Sequence, residues 1–131
     1  MLHRDYLLDV IEQFVSSVSR SLARALLQRD MDAAEEVEAA IADLVQLDPN
    51  TAMALAPESL VTMMMLSGTG DAVAGYAAYA LNKLGDAYDR MNQPELADMR
   101  REQAAAIANT FGANVNEIPE ELRELDESLR A

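Results

Sequence analysis

The chain has 131 residues, half of them apolar and a quarter charged, with 23 acids against 10 bases and a net charge of −13. One domain of this length and apolar content buries enough surface to offset ordering entropy, which argues against disorder. The acidic balance argues against a nucleic-acid partner, because a phosphate backbone demands a basic face. Cysteine is missing and histidine occurs once, so disulfide scaffolds, thiol nucleophiles and thiolate metal sites are excluded. The expectation is a protein with no metal and no cofactor.

The N-terminal stretch carries Asp5, Asp9 and Glu12, which interrupt the uncharged apolar run a secretory signal requires. Residues 2–28 place Leu7, Val10, Ile11, Phe14, Val15, Val18, Leu22, Ala25 and Leu26 at steps of three and four. That spacing predicts a helix of about seven turns with one apolar face. After Gln28-Arg29-Asp30, with Asp30 or Asp32 as cap, Ala33, Val37, Ile41, Leu44 and Val45 form the stripe of a second helix. Glu35, Glu36, Glu38 and Asp43 lie largely off it, on what reads as a solvated face or a docking surface for a basic partner.

Pro49 disfavours helical geometry in the residue before it and so ends that helix. Residues 51–56 read as a short turn, and Pro57 opens a third helix to Leu66. The loop around Gly68 and Gly70, with Thr69 or Asp71 as cap, leads to a fourth helix over 71–91. Together the third and fourth helices make an apolar region, 59–82, whose one charge is Asp71. Neither half reaches the ~18 residues of a membrane span, so the expected location is the cytoplasm, with no membrane partner. Asn92-Gln93-Pro94 restarts the chain as a fifth helix over 94–111, Gly112 stops it, and Pro119 opens a charged last helix. No period-two alternation appears. The fold class is all-α: an antiparallel bundle of about five to six helices, with residues 1–116 as a single domain. Residues 117–131 form a charged C-terminal helix whose packing the composition leaves open.

Leu81, Leu84, Gly85 and Tyr88, followed by Ala97 and Ala104, carry the most specific spacing in the chain. Over residues 78–108 it resembles the tetratricopeptide repeat, a helical hairpin with Leu-Gly-x-x-Tyr and then small residues at set offsets. Leu47-Asp48-Pro49-Asn50 looks like the junction that closes such a repeat. The resemblance implies that Gly85 faces Ala97 across the hairpin and that the first helix of the pair lines a binding groove. Asp5-Tyr6-Leu7 with Ile11-Glu12-Gln13-Phe14 is also similar to a small uncharacterised bacterial protein family, which implies no activity.

Candidate chemistry is sparse. His3 with Asp5 and Tyr6 forms a conceivable proton-transfer cluster, but chain ends fray. Calcium-loop and Glu-x-x-His patterns are missing. Met63, Met64 and Met65 point around most of a helix circumference, which suits either a central helix or a self-association interface. Tyr76, Tyr79 and Lys83 share a face with small alanines around them and are the candidate partner-binding residues. The leading expectation is therefore a non-enzymatic helical module for protein–protein interaction, binding a protein or peptide partner and forming a homodimer. The alternative is a small-molecule binder or carboxylate-dependent enzyme, with Glu58, Asp71 or Asp86 buried in a pocket between helices.

Overall fold

A computed structural model describes residues 2–68 and 70–130, with the side chains of residues 2–5 left out. Seven α-helices follow in order: α1 (Leu2–Leu27), α2 (Met31–Leu44), α3 (Pro49–Ala54), α4 (Pro57–Ser67), α5 (Gly70–Arg90), α6 (Pro94–Phe111) and α7 (Arg123–Leu129). A 3-10 turn, Glu120–Leu122, leads into α7. There is no strand among the described residues. Helical periodicity thus reports the class correctly, while the expected count of five to six helices falls short. The extra helix is α3, where residues 51–56 read as a turn. Asp48 and Pro49 do two jobs at once. The Asp48 carboxylate accepts from the Thr51 amide at 3.2 Å, and Pro49 stands at the first helical position, where its missing N–H costs nothing.

Helix ends follow from local chemistry. Asp30 caps α2 by accepting from the Ala33 amide. Gly68 and Gly112 leave α4 and α6 in the left-handed region, at φ of 77° and 72°. Arg29, Gln46 and Asn92 adopt the same conformation at the ends of α1, α2 and α5. There the following amides of Leu47 and Gln93 return to Ala42 and Tyr88 carbonyls. Only Asn92 among these three is a residue type that signals such a cap in sequence.

Two three-residue connections fold α1 onto α2 and α5 onto α6, as antiparallel hairpins. α5 lies at the centre, with α1, α2, α4 and α6 all packed against it. Its buried face is mostly small, with Ala74, Ala77, Ala78, Ala80 and Ala87, so neighbouring helices approach closely. Val18, Leu22, Val37, Ile41, Leu81 and Leu84 fill the space between them. Gly70 meets the end of α6: a Cβ there would stand 2.5 Å from the Phe111 ring.

At Gly85 a long side chain of α6 lies against the glycine. The atoms nearest to where a Cβ would stand belong to Arg101, with Cγ at 2.7 Å, rather than to Ala97. The Arg101 stem crosses the glycine, and its guanidinium reaches Asp86 at 2.8 Å and Asp89 at 2.7 Å. A long side chain therefore uses the room that glycine leaves. Gly85→Leu is expected to lower stability by about 1–3 kcal/mol through overpacking. In an Arg101→Ala background the cost should shrink by half or more in chemical denaturation, because the colliding stem is gone.

Candidate functional site

The polar groups of the interior gather in two clusters. The first joins four helices. Glu38 of α2 accepts from Tyr88 Oη of α5 at 2.6 Å and from Arg100 Nε of α6 at 3.0 Å. Arg100 Nη1 donates onward to the Met53 carbonyl and to Gln103 Oε1. Gln103, fully buried, donates in turn to the Leu55 carbonyl at 3.0 Å. The last carbonyls of a helix lack partners within it, and here two side chains of α6 supply them for α3. Burial, followed by the hydrogen bond to Glu38, pushes the Tyr88 phenol well above its ordinary value, so it stays a donor at any working pH. Glu38 was expected on a solvated face, and this is the point at which the structure departs from that expectation. Glu35, Glu36 and Asp43 are exposed as expected, with Glu36 pairing with Arg24 at 2.7 Å and accepting from Ser21.

The second cluster contains the candidate partner-binding residues. Tyr76, Tyr79 and Lys83 share one face of α5, and the C-terminal segment covers it. Tyr76 donates to Glu121 at 2.6 Å and packs edge-on against Phe14 of α1. Tyr79 donates to Asp126 at 2.8 Å, and Lys83 Nζ lies 3.4 Å from the same oxygen and 5.7 Å from the Tyr79 ring centroid. Arg130 closes on the other oxygen at 2.9 Å. Asp126 is 2 % exposed, and Leu122, Leu125 and Leu129 are buried beside it. Burial alone would raise the Asp126 carboxyl; the Tyr79 hydrogen bond, Lys83 and Arg130 overturn this and hold it below the ordinary carboxylate value of 3.8. Tyr76 is pushed up to about 12, by burial first and then by Glu121.

The acids proposed for a closed pocket lie elsewhere. Glu58 and Asp71 are exposed, and Asp86 is half-buried in its pair with Arg101. A cleft of about 370 Å³ beside Tyr76 is lined by Asp71, Gly75, Phe111, Asn114 and Glu121. Among the described residues no group of three or more acids and histidine is placed to hold a metal ion, and no buried side-chain polar atom lacks a partner. No helix of the described chain is long and apolar enough to cross a membrane. The side chains of His3 and Asp5, and Thr69 as a cap, lie outside the described residues.

The three methionines separate. Met64 is buried in the core, whereas Met63 and Met65 are 39 % and 60 % exposed, next to Leu66 at 76 %. Sequence periodicity misses the residues that matter most to both polar clusters. Asp126 sits in a highly charged tail where nothing distinguishes it from its neighbours, apart from leucines at −4, −1 and +3. Arg100 and Gln103, three apart on α6, offered the one earlier signal: polar residues on the same stripe as the buried Ala97, Ala104 and Ile107. No protein-family model, curated protein or solved structure matches the chain.

Two measurements test these clusters. Arg100→Ala leaves the part-buried Glu38 without its counter-charge and the Met53 carbonyl without its donor, and should cost about 1–3 kcal/mol in urea unfolding. A loss under 1 kcal/mol would show that the pair is not the centre of the packing. For Asp126 the folded pKa lies below the unfolded one, so the unfolded state binds more protons through the acid range. Its contribution is complete above the unfolded value and is lost as pH falls through the folded value. The expected outcome is a wild-type stability that declines below about pH 4 more steeply than that of Asp126→Asn, measured by thermal melts across pH.

Proposed function

We propose that the protein is a non-enzymatic helical interaction module, acting in the cytoplasm and self-associating as a homodimer. The observation that carries this reading is the group Met63, Met65 and Leu66, which leaves large apolar side chains in water around the outer half of α4. Single exposed apolar residues are ordinary, but adjacent ones on a short helix form a patch suited to another protein surface. Thioethers adapt to an opposing surface without a fixed rotamer, which favours a packed seam over a specific small-molecule pocket.

The α5–α6 hairpin supports the likeness to a tetratricopeptide-type pair. Leu81, Leu84, Gly85 and Tyr88 are buried on the first helix, and Ala97 and Ala104 on the second. A hairpin of this kind buries its faces only against neighbours, which α1, α2 and α4 provide here. The face of α5 bearing Tyr76, Tyr79 and Lys83 is the partner-binding surface in this reading.

Size-exclusion chromatography with light scattering should give a dimer at micromolar concentration. Leu66→Glu, at a position 76 % exposed and so free of a folding role, is expected to yield the monomer with unchanged helicity. A wild type that stays monomeric at 100 times that concentration overturns the seam.

A further inference from the structure

The C-terminal segment is seated on the body as one protein helix seats on another. Leu122, Leu125 and Leu129 recur at i, i+3 and i+7, the anchor spacing of an amphipathic helix laid in a groove, and all three are buried. Asp126 adds a directional element at i+4. Its carboxylate is received by a phenol and an ammonium presented four residues apart on α5. The opposite face, with Glu120, Glu124 and Glu127, is exposed, while Glu121 accepts from Tyr76. The segment touches the body mainly along α1 and through these α5 side chains.

We propose that this face of α1 and α5 is a docking groove for a partner protein's amphipathic helix of the pattern Leu-x-x-Leu-acid-x-x-Leu, and that residues 120–130 are its intramolecular occupant. The proposal rests on the reading of the protein as an interaction module. Several physical features make the occupant exchangeable. A seven-residue helix is marginal in water by itself, so α7 forms because it docks, and undocking melts it. The connection over 112–119 contains no helix. Eight residues reach up to about 28 Å when extended, so the segment leaves without disturbing α6. The body is itself acidic and offers Glu120, Glu124 and Glu127 no counter-charge among the described residues, while the Tyr76–Glu121 hydrogen bond is exchanged for water on release. The groove, by contrast, presents Lys83 where the buried Asp126 carboxylate enters, and this complementarity selects an acid at that position of the ligand. Tethering gives the chain's own segment an effective concentration near the millimolar range, so an incoming helix competes with it rather than meeting an empty groove. A partner helix with longer flanks adds contacts that the short α7 lacks.

The test uses the full chain and a fluorescein-labelled peptide with the sequence of residues 117–130, read by anisotropy. Asp126→Ala weakens the internal occupant while Tyr79 and Lys83 stay in place. It is expected to bind the peptide at least tenfold more tightly than the wild type does. A peptide with alanine at the position of Asp126, or Lys83→Ala added to the variant, should lose that gain. Leu129→Ala, which trims only the last turn, gives the same comparison if Asp126→Ala does not fold. Helical variants that fail to bind, or that bind a scrambled peptide equally well, overturn the proposal. Wild-type dimers that Asp126→Ala abolishes and Leu66→Glu leaves intact would seat the segment in a second copy, and also overturn it. Peptide binding by a monomeric wild type supports the groove and removes the α4 seam. A dimer sensitive to Leu66→Glu, without peptide binding by any variant, does the reverse.

Discussion

The ion pair between Arg100 and Glu38 is the constraint on which the arrangement of the helices depends. A guanidinium 4 % exposed and a carboxylate at its side are costly to desolvate, and removing one strands the other. The geometry meets that cost by satisfying every neighbour. Tyr88 gives Glu38 a second donor, while Arg100 and Gln103 satisfy carbonyls at the end of α3. Because the members come from α2, α3, α5 and α6, the network fixes the relative placement of four elements. Apolar packing between alanine-rich surfaces leaves that placement loose, since small side chains interlock weakly. Directional bonds specify one arrangement among several that bury similar area.

Basic residues are scarce in this chain, and the structure uses them as fasteners. Arg24 holds Glu36 and Asp30 at the α1–α2 turn, and Arg90 donates to the Leu26 carbonyl, closing the open end of α1. Arg101 ties Asp86 and Asp89 along the hairpin. Lys83 and Arg130 converge on Asp126. The exposed pairs among these add little stability one by one. The buried ones decide orientation, and the remaining acids give the surface its strongly negative character.

α5 packs through two different faces. One faces α6 and carries the glycine and alanines of the hairpin. The other, with Tyr76, Tyr79 and Lys83, receives the C-terminal segment through hydrogen bonds and an ion pair rather than through deep interlocking. Leucines at helical spacing provide the apolar part of that contact. A surface built in this way is satisfied by its own chain.

The sequence by itself determined the class of the protein and most of its element boundaries. Periodicity, Asp caps, prolines at first turns and glycines at last turns are local signals, and the physics that reads them extends over only a few residues. It placed α1, α4, α5 and α6 within a residue or two, whereas α2 stops at Leu44, through the turn at Gln46, before Pro49 acts. It also marked Tyr76, Tyr79 and Lys83 as sharing one face. The tertiary structure alone decided what lies opposite each face. Glu38 looks like any other acid on a charged helix until Arg100, sixty-two residues away, meets it. Asp126 is one of many acids in a charged tail until Tyr79 and Lys83 enclose it, and Gly85 meets an arginine stem where spacing pointed to an alanine. Pairing of this kind depends on which helices become neighbours. Long-range packing sets that, and no window of local sequence contains it.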